Sequence, residues 1–189
     1  MSLIKHYKNT DSQFGWVMIF IHWLLVLPVI GLFGLGLYMM DLGYYDSFYT
    51  LGPKIHEAIG IVVLLLMVFR LIWKKINPSP KPPITNSDFI NTASKIAHYV
   101  IYLAVFTVLL SGLLISFAGG QGIEVFDWFR IPGPAELFEN QATLAGDVHY
   151  YVAVGLMALV ALHTLAALKH HFIDKDTTLS NMLGIEEKK

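Results

Sequence analysis

Residues 149–172 read HYYVAVGLMALVALHTLAALKHHF, and this stretch sets the interpretation of the whole chain. It is apolar and long enough to cross a bilayer, since about 20 apolar residues span the hydrocarbon core. Two histidines, His149 and His163, lie within it. Fourteen helical residues rise about 21 Å and complete nearly four turns. The two imidazoles therefore lie on nearly the same helix face, one near each membrane surface, as ligands of two stacked cofactors would.

The composition is that of an integral membrane protein. Of 189 residues, 55% are hydrophobic and only 14% are charged, whereas about 25% of the residues of a soluble domain are charged. The length favours one domain, residues 1–189. The chain has no cysteine, which excludes disulfides, thiolate catalysis, iron–sulfur clusters and covalently attached c-type haem. The polar start, MSLIKHYKNTDSQFG, does not have the pattern of a cleavable signal peptide.

Three further apolar segments meet the same length requirement, so we predict an all-α, integral membrane four-helix bundle. The predicted helices cover residues 16–40, 55–74, 93–117 and 147–172. Pro28 predicts a kink in the first helix. The glycines that follow it would allow a neighbouring helix or a flat ligand to approach closely. The proline-rich run NPSPKPP, at 77–83, ends the second helix and forms an extended connection.

The basic residues predict the orientation. Eleven of the 13 Lys and Arg residues lie in the N-terminal segment, the second connection and the C-terminal segment, and only Lys54 and Arg130 lie on the other side. Because cytoplasmic loops are enriched in Lys and Arg, both termini are predicted to be cytoplasmic, in a bacterial inner membrane. The predicted periplasmic segments hold eight acidic residues: Asp41, Asp46, Glu57, Glu124, Asp127, Glu136, Glu139 and Asp147.

This orientation gives each histidine of the apolar segments a depth. His22 and His163 lie in the cytoplasmic half, while His56 and His149 lie near the periplasmic side. A lone histidine in an apolar helix is more often a polar residue satisfied by a carbonyl group. Here four histidines form two pairs, each at one depth in the membrane. This pattern favours a role as metal ligands, because ionisable residues at membrane depth are functional candidates. The predicted pairs, His22 with His163 and His56 with His149, have the arrangement of bis-histidine haem ligation inside a bundle.

A bare metal ion such as zinc is the competing interpretation of these histidines. Zinc sites use three or four protein ligands, whereas each level supplies two histidines with only Glu57 and Asp147 nearby as further ligands. Two axial nitrogens suit an iron whose equatorial positions are filled by a porphyrin. We therefore predict two non-covalently bound molecules of haem b.

Five further side chains are candidates for contacts with haem propionates or with a quinone headgroup. His98 and His170 lie at the cytoplasmic ends of helices three and four. A contact with a propionate or a quinone and a plain role at the membrane interface or helix terminus explain them equally well. Arg70 either pairs with a propionate or extends to the membrane interface. Lys54 and Arg130 are the only cations of the predicted periplasmic side, which makes them candidates for the propionates of the outer haem.

Blocks of sequence that occur in order carry a family resemblance: IHW at 21–23, KIHEAIGI at 54–61, HYVIYL at 98–103, GDVHYYVA at 146–153 and ALHTLAALKHHFIDKDTTL at 161–179. With these blocks the chain resembles the bacterial di-haem cytochrome b561 family. The resemblance implies four helices, two b-haems on the four paired histidines, and a quinone such as ubiquinone that exchanges electrons at the bundle. The last block is similar to a subgroup often found beside a small periplasmic lipid-binding protein of the lipocalin-like type, which the resemblance implies as a partner.

The predicted function is electron transfer across the membrane, between the quinone pool and a periplasmic donor or acceptor. The two ligand planes are about 20 Å apart by helix rise. One relative in the family is a superoxide oxidase, which passes electrons from superoxide to quinone. The acidic periplasmic segments disfavour an anionic substrate, although Lys54 and Arg130 offer a local positive patch. The same histidines would also suit a b-type haem anchor subunit of a dehydrogenase or hydrogenase, and a haem-free membrane protein is the interpretation from a different class.

Overall fold

The computed structural model describes residues 2–3, 6–82 and 87–186. Five helices occur in the described residues: α1 (Trp16–Met40), α2 (Leu51–Ile76), α3 (Asp88–Ala118), α4 (Gln141–Phe172) and the short α5 (Thr178–Met182). Four short strands accompany them: β1 (Ser2–Leu3), β2 (Ile123–Val125), β3 (Phe129–Ile131) and β4 (Ile185–Glu186). The strands form two antiparallel pairs, β1 with β4 and β2 with β3.

The four long helices, α1 to α4, are each long and apolar enough to cross a membrane. Many of their large apolar side chains point outward; Leu27, Leu65 and Leu162 are 72%, 59% and 64% exposed. Such exposure is costly in water, but it is favourable in lipid, whose acyl chains are as apolar as leucine. The prediction of an all-α, multi-pass membrane protein with four apolar helices is confirmed.

Three of these helices begin before the predicted residue. Helix α2 begins at Leu51, and Pro53 lies in its first turn, where a missing backbone N–H is tolerated. Helix α3 begins at Asp88, and the hydroxyl of Ser87 accepts the backbone N–H of Ile90 at 3.3 Å. Helix α4 begins at Gln141. These first turns contain polar residues, so the apolar pattern used for the prediction does not extend to them. Pro28 lies inside α1 without ending it.

Unit 1 is one of two compact units of the chain and comprises residues 1–25, 66–101 and 158–189. It contains one part of each long helix together with β1, α5 and β4. The buried Asn9 side chain donates to the carbonyl of Pro78 at 3.0 Å and accepts the backbone N–H of Gly15 at 2.9 Å. The indole of Trp23 donates to the carbonyl of Met182 at 2.8 Å. These contacts attach the N-terminal segment to the end of α2 and the C-terminal segment to α1.

Unit 2 comprises residues 26–65 and 102–157, and contains the other part of each long helix with the β2–β3 hairpin. Ile123 and Val125 of β2 are 2% and 1% exposed and form a hydrophobic cluster with Ile61 of α2. The fully buried Gln141 donates to the carbonyl of Leu114 at 2.7 Å and accepts the N–H of Leu137 at 2.8 Å. The hairpin and the loop before α4 are therefore packed on the helices of this unit.

Candidate functional site

A cavity of about 580 Å³ lies within unit 2 and is lined by α1, α2, α3 and α4 together with Ile123 of β2. His56 of α2 and His149 of α4 both line it, with ring centroids 6.0 Å apart and ring planes inclined by 61°. The volume lies within the range of small-molecule and cofactor sites, about 300–1,000 Å³. The structure thus brings the two histidines of the predicted outer pair into one cavity.

His149 is held by helix α3. Its Nδ1 lies 2.9 Å from the carbonyl oxygen of Val108 and 3.3 Å from the hydroxyl of Ser111. A carbonyl oxygen can only accept a hydrogen bond, so Nδ1 carries the proton and Nε2 keeps its lone pair. This is the tautomer of a metal-binding histidine whose second nitrogen donates to a protein group.

His56 has a different environment. Its Nδ1 is buried and has no hydrogen-bond partner among the described residues. The adjacent Glu57 is satisfied by the hydroxyl of Ser116 at 2.8 Å. A buried polar atom without a partner costs free energy, so this nitrogen does not stabilise the fold. Unlike His149, His56 is therefore not oriented by a hydrogen bond from Nδ1 to any described residue.

The separation of the two rings tests whether they fit an iron. A metal–imidazole bond is about 2 Å long, so two imidazoles on opposite sides of one metal have ring centroids roughly 6 Å apart. The observed 6.0 Å between His56 and His149 agrees with this value. Four glycines also line the cavity and leave room for a flat macrocycle, namely Gly36, Gly60, Gly112 and Gly146. The residues present in unit 2 therefore fit a bis-histidine haem.

Three histidines and one arginine come together in unit 1. The rings of His98 and His163 have centroids 5.2 Å apart at 80°. His22 lies within electrostatic range of both, and its Nδ1 is 3.2 Å from Nη1 of Arg70. The 5.2 Å between His98 and His163 is shorter than the roughly 6 Å that an intervening metal requires. His98 is thus a neighbour of His163 rather than its partner across an iron.

The hydrogen bonds of unit 1 also define tautomers. A guanidinium only donates, so Nδ1 of His22 accepts from Arg70 and a neutral His22 carries its proton on Nε2. In this contact Arg70 orients the imidazole of His22 through Nδ1. The Nδ1 of His98 donates to the carbonyl of Ser94 at 2.7 Å, which leaves its Nε2 as an acceptor.

The remaining candidates have local contacts. Nδ1 of His170 lies 2.8 Å from Asp176 and 3.1 Å from Asp174, so its observed contacts are with the segment that follows α4. Arg130 pairs with Glu124 at 3.8 Å on the exposed hairpin. Lys54 is exposed in the first turns of α2. Neither Lys54 nor Arg130 is among the described residues that line the cavity.

The sequence did not reveal the contribution of α3. The pair Ser111-Gly112 was visible as a small-residue interruption of an apolar helix, but the carbonyl of Val108 has no sequence signal at all. In the described part of the chain, no three His, Asp or Glu side chains come together in a group able to hold a bare metal ion.

Comparisons with known proteins agree with these features. The family model of prokaryotic cytochrome b561 matches residues 13–184. "Cytochrome b561 homolog 2" of Escherichia coli (strain K12) is 40% identical over 178 residues, which cover 94% of this chain and 95% of that protein. "Probable superoxide oxidase CybB" of Yersinia pestis is 30% identical over 180 residues, or 94% and 97% of the two chains. The chain belongs to the prokaryotic cytochrome b561 family, whose members are membrane electron-transfer proteins that bind haem b.

Proposed function

We propose that this protein transfers electrons across the bacterial inner membrane, between the quinone pool and a periplasmic donor or acceptor, by means of two haem b groups. The proposal is carried by one observation above all, the placement of His56 and His149 in a single cavity with rings 6.0 Å apart. When bound, haem supplies one-electron redox chemistry, and the protein supplies the ligands and the surroundings that set its potential.

In this proposal His56 and His149 would hold the outer haem. The cavity wall is mostly apolar, with Glu57, Ser116 and Asp147 as polar exceptions. An apolar shell disfavours the extra positive charge of the oxidised iron, whereas a nearby carboxylate favours it. The hydroxyl of Ser116 donates to Glu57 at 2.8 Å and so orients this carboxyl group at the cavity wall.

The inner haem site uses His22 and His163, with Arg70 and His98 as neighbours. Arg70 lies beside His22, and its planar fork of donors would suit a haem propionate at this site. His98 has Nε2 available as an acceptor, because Nδ1 is bonded to the carbonyl of Ser94. That nitrogen suits the hydroxyl of a hydroquinone, whose proton must leave when the quinol is oxidised.

Superoxide oxidation is the second candidate function, because a relative at 30% identity is named a probable superoxide oxidase. The charges of this chain argue against it. Unit 2 contains eight acidic and two basic residues, a formal charge of −6. One of the two cations, Arg130, is already paired with Glu124. An anionic substrate is repelled by such a surface, whereas a cationic or neutral partner is not.

Two partner proposals follow from the family resemblance. A lipocalin-like periplasmic protein and a catalytic dehydrogenase or hydrogenase subunit are both candidates, and they predict different assemblies. Affinity purification of the tagged protein in mild detergent distinguishes them by the mass and identity of a stoichiometric second chain. Recovery of the cytochrome alone contradicts a role as an anchor subunit.

Reconstitution into liposomes that enclose ferricyanide tests electron transfer across the membrane. External ubiquinol is expected to bleach the enclosed ferricyanide with wild-type protein. The rate should fall to that of protein-free liposomes with His56→Ala. His171→Ala is the matched control, because this residue contacts Phe172 and has no part in the proposed sites. Equal rates in wild type and His56→Ala would exclude the outer haem from the electron path.

A further inference from the structure

We infer that helix α3, which provides no axial ligand in the proposed function, is the positioning element of the outer haem and makes His149 its electron-rich ligand. The inference rests on the proposed function, because it assumes that His56 and His149 bind the iron. Three observations support it: the hydrogen bond to the Val108 carbonyl, the absence of a side chain at residue 112, and the Nδ1 of His56, which has no hydrogen-bond partner in the described part of the chain.

The first step is the hydrogen bond between His149 and the carbonyl of Val108. At 2.9 Å it has the ordinary length of an N–H···O bond. A proton donated from Nδ1 fixes the ring orientation and leaves Nε2 as the ligand atom. It also increases the electron density that Nε2 donates, since a hydrogen bond at the second nitrogen raises the basicity of a histidine ligand.

The second step is the access of the imidazole to that carbonyl. In an α-helix, a side chain covers the turn that precedes its own Cα, so residue 112 is placed to shield the carbonyl of residue 108. A Cβ at Gly112 would lie 3.2 Å from Cε1 and 3.4 Å from Nδ1 of His149. Contacts this short require the ring to move by a few tenths of an ångström. Glycine at this position therefore allows the imidazole to lie directly against α3.

The third step concerns Ser111. Its hydroxyl donates to the carbonyl of Val108 at 2.9 Å and lies 3.3 Å from Nδ1 of His149, which is long for a hydrogen bond. The hydroxyl thus competes with His149 for the same carbonyl oxygen. Ser111 weakens the polarisation of the imidazole, while Gly112 permits it. The two adjacent residues act on one ligand in opposite directions.

The fourth step is the asymmetry between the two ligands. The Nδ1 of His56 has no hydrogen-bond partner among the described residues, whereas that of His149 has a carbonyl acceptor. The two axial ligands of the same iron are therefore unequal donors. Changes at α3 should alter the potential of the outer haem through His149, without any change in the ligand set.

Redox titration of the purified, haem-loaded protein tests this inference, with electron paramagnetic resonance as a second readout. Gly112→Ala should keep two haems, raise the potential of one haem by weakening the bond to Val108, and shift the g-values of that haem alone. Ser111→Ala should lower the potential of the same haem. Gly155→Ala is the matched control on α4, because a Cβ there meets nothing within 4 Å; both potentials should equal those of wild type.

The outcomes separate this inference from the proposed function. If wild-type protein binds no haem, the proposed function fails. If wild type binds two haems but Gly112→Ala and Ser111→Ala leave both potentials and both sets of g-values unchanged, the positioning role of α3 is refuted alone. If Gly112→Ala loses one haem, Ser111→Ala decides: a lowered potential of that haem supports the inference, and an unchanged one refutes it.

Discussion

At the scale of the residue, the chemistry of each candidate ligand depends on which ring nitrogen holds the proton. His149 and His98 donate from Nδ1 to backbone carbonyls, whereas His22 accepts a hydrogen bond from Arg70. The placement of His22, His56, His149 and His163 in apolar helices could be predicted from the sequence. Their tautomers could not, because a backbone carbonyl is present at every residue and only the fold selects the one that accepts.

Arg70 is the residue whose substitution should have the clearest effect on the inner site. A positive charge near a haem favours the reduced iron, so Arg70→Gln should lower the potential of one haem. The expected change is on the order of one tenfold shift in the redox equilibrium, or about 59 mV for one electron. Redox titration measures it, with Lys75→Gln, at the exposed end of α2, as the control. Unchanged potentials in Arg70→Gln would show that the guanidinium lies away from both haems.

At the scale of the element, the apolar cores of the helices were predictable and their first turns were not. For α1, the ends predicted from the apolar pattern, residues 16 and 40, are those of the observed helix. It placed the start of α4 at residue 147, although the helix begins at Gln141. Gln141 is polar, yet it is fully buried because its amide satisfies two backbone groups outside the apolar pattern. Hydrophobicity cannot reveal a buried polar residue of this kind.

Substitution of Gln141 should destabilise the packing of the loop before α4 on α3. Gln141→Ala leaves the carbonyl of Leu114 and the N–H of Leu137 without the side chain that now pairs with them. Each unsatisfied buried group costs about 1–3 kcal/mol. The thermal midpoint, followed by Soret absorbance, should fall, whereas Gln121→Ala on an exposed loop should leave it unchanged. Equal midpoints for both variants would mean that water replaces the amide at no cost.

At the scale of the whole molecule, the sequence divides its charges unequally. Residues of unit 2 include eight acids and two bases, so those of unit 1 hold the other six acids and eleven bases. This imbalance was visible in the sequence and gave the predicted orientation. It also predicts which redox partners approach unit 2 rapidly, because steering of charged partners depends on the local field.

Charge reversal of unit 2 should exchange the preference between cationic and anionic redox reagents. The variant Asp41→Lys/Asp127→Lys/Glu139→Lys changes three exposed side chains. It should slow oxidation of the reduced protein by hexaammineruthenium(III) and accelerate oxidation by ferricyanide, as measured by stopped-flow absorbance. Both effects should diminish at high salt, where the screening length falls to about 3 Å at 1 M. The same variant should be reduced faster by superoxide than wild type. Rates that do not depend on these charges would contradict an electrostatically selective surface.

The central claim is that four histidines bind two haems in the pairs His22–His163 and His56–His149. Haem quantitation with dithionite-reduced minus oxidised spectra of single His→Ala variants tests it most directly. Wild type should contain two haems per chain. Loss of His56 or of His149 should remove the same haem signal, and loss of His22 or of His163 should remove the other. Absence of haem in wild type, or loss of one shared signal by His56→Ala and His163→Ala, would contradict the account.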